Sequence, residues 1–321
     1  MVSFKIGNVT ISNRVCVAPM AGITDLPYRL ILKEMGASLL TTELISAKGI
    51  FYNSPGNKII MATDKRESPI AIQLFGSDPI IMAKIANDIK DDYDIIDINM
   101  GCPVLKVVRN GEGAALMKDV GLASRIVETM VRVIGDKKPV TCKIRIGFDN
   151  NHINAVSFAK ALEAAGASAI TIHGRTKTEL YSGDCHRDVI REVKNAVKIP
   201  VIANGNIWDI YDAKDMLLYT GADAIALGRA IKGNPWFVKE CIEYIENDKV
   251  IERPTIASIK NMMIRHVNDM IDFKGESTGI SELRHHIAWY TKGLVGSTKF
   301  RLKLNSITNK NEMLNIINEL E

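Results

Sequence analysis

The chain has 321 residues, 46% hydrophobic and 24% charged, enough apolar material for a large core, which excludes a mainly disordered polymer. Lys and Arg exceed Asp and Glu by 41 to 37, and the net charge of +4 permits a polyanionic partner without demanding one. The opening MVSFKIGNVTISNR lacks the apolar block of a secretory signal and no stretch approaches membrane-spanning length, so a cytoplasmic location is expected.

From residue 15 to about 230 one grammar repeats: a short β-branched run ending in Gly, Pro, Asn or His, then a longer segment of helical period. Strands are predicted at 15–18, 38–41, 70–74, 95–98, 140–144, 169–172, 201–203 and 224–227. Helices are predicted between them at 26–35, after the cap Asp25, and at 80–90, 121–133, 153–165, 189–196 and 210–219. Gly36-Ala37, Gly166-Ala167 and Gly221-Ala222 end helices where a left-handed residue returns the chain to the next strand. Eight strands with crossover helices predict a (β/α)₈ barrel of the TIM type over 1–245 rather than an open doubly wound sheet. Helical spacing at 256–271, 283–294 and 311–320 predicts a small helical domain over 246–321, with nine Lys/Arg against seven Asp/Glu from residue 255 onward.

The common motifs are absent: no Gly-Lys-Ser/Thr phosphate loop, no HExxH and no GxSxG. Gly111-Glu112-Gly113 starts like a dinucleotide fingerprint, but Leu116 occupies the third glycine position and no strand directly precedes it. Five cysteines without CxxC spacing argue against a disulfide framework and a zinc cluster, so no metal is expected. Cys16 and Cys142 fall inside predicted strands as small hydrophobes, and Cys185 and Cys241 near polar or helical surface. Cys102 alone is expected on a strand-end loop, where a thiol can be a nucleophile or a proton donor; spacing does not choose.

Polar residues gather where predicted strands end: Pro19-Met20-Ala21, Gln73, Asn99, Lys143 and Arg145, then His173-Gly174-Arg175-Thr176, Asn204-Gly205-Asn206 and Gly228-Arg229. Singly, each has an ordinary structural use. Barrel topology sends them all to one face, and glycine turns after strands seven and eight with Arg229 suit a ligand phosphate, so a phosphorylated cofactor is expected.

These residues stand in segments that resemble the flavin-dependent tRNA-dihydrouridine synthases, most of all the bacterial B-type. The segments are APMAGITD (18–25), QLFGSDP (73–79), INMGCPVLKVVRNGEGAALM (98–117), KIRIG (143–147), HGRT (173–176), NGNI (204–207), GRAIKGNPW (228–236) and LRHHIAWY (283–290). The MGCP block and the tail motif are specific, whereas APMAG and NG-then-GR occur more widely among flavin barrels. The resemblance implies FMN reduced by NADPH, tRNA as partner, hydride delivery from flavin N5 to uridine C6 in the D-loop, and protonation of C5 by Cys102. It assigns the cofactor to Pro19, Met20, Ala21, Gln73, Lys143, His173, Asn204, Gly205, Asn206, Gly228 and Arg229, and the substrate to Asn99, Arg145, Arg175 and Arg284. Lys106, Arg109 and Lys292 are further basic candidates for RNA contacts. Asn206 departs from the family's usual aspartate, and Arg284-His285-His286 from its usual Arg-Lys-His. Two other functions fit the residues less well: an FMN barrel acting on a free pyrimidine, as dihydroorotate dehydrogenases do, which leaves the basic tail without a use, and an RNA-binding protein with a degenerate barrel.

Overall fold

The computed structural model describes residues 2–294 and 296–320. An antiparallel hairpin, β1 (Phe4–Ile6) and β2 (Val9–Ile11), precedes the eight parallel strands β3 (Val15–Val17), β4 (Leu40–Ser46), β5 (Ile70–Phe75), β6 (Ile95–Met100), β7 (Val140–Arg145), β8 (Ala169–His173), β9 (Val201–Asn204) and β10 (Ala224–Leu227). The sheet order is β3-β10-β9-β8-β7-β6-β5-β4. Backbone bonds from Val17 N to the Leu39 carbonyl and from Ser38 N to the Val15 carbonyl, both 2.9 Å, join its two ends into a barrel. The fold is the (β/α)₈ barrel that the sequence predicts, with every predicted strand present.

The helices are α1 (Leu26–Glu34), α2 (Ala47–Phe51), α3 (Asn57–Met61), α4 (Pro79–Ile89), α5 (Leu105–Arg109), α6 (Val120–Ile134), α7 (Ala155–Ala164), α8 (Arg187–Ala196), α9 (Ile210–Thr220) and α10 (Phe237–Asn247). Beyond them lie α11 (Ile256–Lys274), α12 (Glu276–Tyr290), α13 (Ser297–Leu304) and α14 (Lys310–Asn318). Asp25, Asp78, Asp119 and Asp209 each accept a backbone N–H at the start of a barrel helix, which explains why those helices begin where they do. Differences from the sequence expectation are the β1–β2 hairpin, the short helices α2, α3 and α5 in the long connections, the helices α10 and α13, α12, which starts earlier and ends at Tyr290, and β4, which runs on to Ser46.

Strand alternation separates two cores. Outward residues such as Ile96, Ile98, Cys142 and Ile144 pack beneath the helices. Inward residues form a second, smaller apolar cluster in which Cys16, Ala18, Ala71, Ala169, Ala224 and Ala226 pack with Leu39, Ile95 and Ile202 and with Ile6 and Ile11 of the hairpin. Above this layer the inward positions become polar, with Asp97, Thr141 and Lys143, and above these the strands end.

One buried ion pair fixes a long connection near the mouth. Arg29 on α1 donates from Nε to Glu67 at 2.5 Å, from Nη1 to the Thr24 carbonyl at 2.9 Å and from Nη2 to the Ala62 carbonyl at 2.7 Å. Arg29 and Glu67 are 1% and 0% exposed, so removing the cation strands a carboxylate in the interior. Arg29→Met is expected to destabilise the fold by about 3 to 5 kcal/mol, read from the midpoint of urea unfolding. A loss of less than about 1 kcal/mol, the size of an exposed pair, would show that the pair is not a buried tie.

Candidate active site

At the C-terminal ends of the strands lies a cavity of about 640 Å³. Every residue that the resemblance assigns to the cofactor lines it, as do Cys102, Asn99 and Arg145. Arg175 and Arg284 do not. Arg175 is buried behind the wall, giving Nε to the Ser182 carbonyl at 2.9 Å and Nη2 to the Gly183 carbonyl and, at 2.6 Å, to Asn206 Oδ1. Arg284 lies on α12 and gives Nε and Nη2 to the Ile307 carbonyl.

The Cys102 loop is tightly held. Asn99 Oδ1 accepts from the backbone N–H of Gly101 at 3.1 Å and of Cys102 at 2.8 Å, and Arg145 Nε donates to the Gly101 carbonyl at 2.8 Å. Gly113, at φ +59°, packs beneath this loop, where a Cβ would come within 2.9 Å of the Cys102 carbonyl oxygen. The Gly111-Glu112-Gly113 signal thus serves the cysteine, in keeping with the poor match to a dinucleotide fingerprint. Burial raises the Cys102 pKa above that of an ordinary thiol, so the group carries its proton at neutral pH despite the nearby Arg145 and Lys143.

The next strands round the barrel, β7 to β9, carry the basic and imidazole groups. Asn204 Nδ2 donates to the Ala226 carbonyl at 2.7 Å, which turns Asn204 Oδ1 toward His173 Nδ1 at 2.8 Å and Lys143 Nζ at 3.4 Å. An amide oxygen only accepts, so His173 is protonated at Nδ1 and its buried Nε2 keeps a lone pair without a protein partner. Burial, followed by Lys143 and Arg145, pushes the His173 pKa well down and keeps the ring neutral. Lys143 is lowered to about 8, first by burial and then by Arg145. The Arg145 guanidinium also ties Nη1 to the Thr176 and Leu180 carbonyls, at 2.8 and 3.1 Å, so it binds the β7 end to the loop after β8.

At the rim, Arg229 is stacked between Tyr181 and Trp208, 4.7 and 4.8 Å from their ring centroids. Gly205, at φ +128°, and Gly228 leave bare backbone beside it. Asn206 adopts φ +47°, a left-handed position that asparagine tolerates, and its side-chain oxygen is used by Arg175. The acceptor that the usual aspartate would supply is kept without its charge. The residues fit a flavin phosphate ester: an orphaned imidazole acceptor, a buried cation, and a glycine turn flanked by an arginine.

Sequence reasoning passed over Tyr181, Trp208 and Lys232, which also line the cavity. Tyr181 and Trp208 are about half exposed, and an aromatic kept in water on a strand-end loop was the available signal. Cys185, expected near surface, lies on the β8–α8 loop with its sulfur packed against Gly174 and Gly205, and Cys241 is fully buried in α10. Cys102 is therefore not the only strand-end thiol, but Cys102 and not Cys185 lines the cavity.

The family model for dihydrouridine synthases matches residues 16–321. The chain belongs to the dihydrouridine synthase family. It is 40% identical over 305 residues to a probable tRNA-dihydrouridine synthase of Rickettsia prowazekii (strain Madrid E), covering 94% of this chain and 92% of the relative. It is 38% identical over 311 residues to tRNA-dihydrouridine synthase B of Salmonella typhimurium (strain LT2), with 97% and 96% covered. Among solved structures, the old yellow enzyme homologue of Zymomonas mobilis superposes with a TM-score of 0.53 at 14% identity, covering 80% of this chain and 95% of that one. Histamine dehydrogenase from Rhizobium sp. 4-9 gives 0.58 at 13%, covering 83% and 50%. At those identities the likeness speaks for the barrel alone. Family membership makes the chain a dihydrouridine synthase, an oxidoreductase as its residues suggest. No helix among the described residues is long and apolar enough to cross a membrane, and no cluster of three His, Cys, Asp or Glu stands ready for a metal.

Proposed function

We propose that the chain reduces the C5–C6 bond of uridines in the tRNA D-loop, in the cytoplasm where tRNA is processed, using FMN in the barrel mouth and NADPH as electron source. The observation that carries this is a protonated, buried thiol sharing one cavity with a lysine, an orphaned imidazole and an arginine-flanked glycine turn. FMN, when bound, supplies the hydride that uracil C6 receives. Pro19, Met20, Ala21, Gln73 and Asn204 line its seat, while Gly205, Asn206, Gly228 and Arg229 hold the phosphate end, and Lys143 balances negative charge on the ring. His173 offers its free Nε2 as an acceptor. Cys102 keeps a proton on Sγ for uracil C5. Arg145 and Asn99 face the base, which must leave its stack to enter the cavity.

The helices support tRNA over a free pyrimidine. A second cavity of about 440 Å³ between α12 and α13 is lined by Arg284, His285, Trp289, Arg301 and Asn305, a mix of cations and an aromatic suited to RNA. Lys232, which lines the first cavity, lies 4.7 Å over the Trp289 ring and so links the two. We place Arg175 as a support for the Asn206 turn and Arg284 as a wall of this helical cavity. Since α10 runs through residues 245 and 246, we place the division between the two domains in 248–255. Arg301→Ala is expected to weaken tRNA binding and to lower its salt slope by about one, with flavin binding unaltered; an unchanged slope would remove Arg301 from the interface.

Nucleoside mass spectrometry of unmodified tRNA incubated with the protein, FMN and NADPH tests the proposal. Dihydrouridine in tRNA, with no turnover of free uracil or orotate, supports it. Reduction of the free bases and none in tRNA would overturn it in favour of a free-pyrimidine oxidoreductase.

A further inference from the structure

One buried carboxylate inside the barrel has no part in the chemistry above. Asp97 stands on β6 two residues before Asn99, so both side chains point inward, and it is 5% exposed. Its Oδ1 accepts from Thr141 Oγ1 at 2.6 Å and its Oδ2 from Gln73 Nε2 at 2.7 Å. A carboxylate accepts and does not donate, so the nitrogen of the Gln73 amide must face Asp97 and its oxygen must face away. That oxygen accepts from Asn99 Nδ2 at 2.7 Å, which in turn directs Asn99 Oδ1 to the N–H groups of Gly101 and Cys102. Each link has a direction, and each direction is imposed by the link below it. Turning the Gln73 amide over would set oxygen against carboxylate at one end and NH₂ against NH₂ at the other.

We propose that Asp97 is a positioning residue for the reaction: through Gln73 and Asn99 it fixes the loop that carries Cys102 and gives this cavity wall the polarity of a hydrogen-bond donor. Each of the two amides keeps one N–H after the relay is satisfied, and both residues line the cavity. The wall therefore offers N–H groups to a ligand oxygen, such as a ring carbonyl of a pyrimidine or flavin, and would repel a ligand donor. The inference rests on Cys102 acting as the proton donor.

Site-resolved alkylation by iodoacetamide, read by mass spectrometry on the full chain without flavin or tRNA, tests the relay. Cys142, fully buried on the outer face of β7, reports loss of the fold. Asp97→Ala is expected to raise Cys102 labelling about tenfold while Cys142 stays protected. Asp97→Asn can still accept from Gln73 and can donate to Thr141 Oγ1, so its labelling is expected within about twofold of the parent. In the loaded enzyme Asp97→Ala, and not Asp97→Asn, should lower kcat with little change in the KM for tRNA. If Asp97→Ala also exposes Cys142, Gln73→Leu cuts the relay one link higher, and Cys102 opening there with Cys142 protected supports the proposal. Unchanged Cys102 labelling in the folded variants, or equal labelling in Asp97→Ala and Asp97→Asn, would overturn it. Because labelling needs no turnover, failure of the relay and failure of the synthase reading are told apart.

Discussion

Cys102→Ala is expected to lower dihydrouridine formation about 10²-fold to 10⁴-fold while flavin absorbance and tRNA affinity stay at parental values. Hydride arriving at uracil C6 leaves charge on the C4 carbonyl and a carbon at C5 that must take a proton. Two of the neighbouring groups are already committed: His173 has its only proton on Nδ1 bound to Asn204, and Arg145 Nε and Nη1 are spent on backbone carbonyls. Cys102 is 8% exposed, and burial keeps its proton on sulfur well into the alkaline range. A general acid works below its pKa, so the thiol imposes no loss of rate between pH 6 and 8. Lys143, lowered to about 8, loses its charge first as pH rises. The alkaline limb of kcat should therefore begin near 8 and move upward in Lys143→Arg, whose cation persists. Equal dihydrouridine yields from parent and Cys102→Ala would remove the thiol from the mechanism.

The barrel was legible because its signals are local. Ile70, Ile72 and Leu74 or Ile96 and Ile98 mark strands within a few residues, and strand ends in a closed parallel barrel necessarily share one face. Scattered residues such as Gln73, Lys143 and Asn204 could therefore be assembled before their contacts were visible. The hairpin at the base was also within reach, since Gly7-Asn8 joins two alternating triplets, but strands of three residues are too short for periodicity to stand out. Cross-strand register is another matter. Asp97 sits in an apolar run, and nothing local says that Gln73 and Thr141 lie on either side of it. The use of charge is likewise a tertiary fact: Arg175 and Arg284 read as free cations in sequence, whereas the fold spends them on carbonyls, Arg175 in the interior. His285 and His286 are neighbours in one motif, yet the first is exposed and the second buried.

The second large effect is expected at the joint between barrel and helices, at Gly233. The turn after β10 presses this residue, at φ +64°, against the end of α12, where a Cβ would fall on the Trp289 carbonyl carbon and the Tyr290 nitrogen. A valine there meets about 1 to 3 kcal/mol of backbone strain before the overlap with rigid backbone is counted. The seam it would open is otherwise well joined. Lys274 pairs with Asp25 at 2.8 Å, the two side chains being 6% and 3% exposed, and Tyr28 on α1 stacks on His266 at 5.2 Å. His286 touches His266 at 4.7 Å, and burial lowers its pKa to about 4, so the seam holds neutral imidazoles at physiological pH. Lys232, one residue from the glycine, holds the Trp289 ring. Gly233→Val should therefore separate the helices from the barrel while the flavin seat, built from the barrel strands and the loops that follow them, remains. The expected result is a yellow protein with a parental flavin spectrum, tRNA affinity reduced at least about tenfold and dihydrouridine yield reduced with it. Gly233→Ala should fall between parent and valine, because its smaller side chain meets the same strain with less overlap. A valine variant that binds tRNA as the parent does would show that the barrel mouth alone grips the RNA, and that the contact between Gly233 and α12 serves stability only.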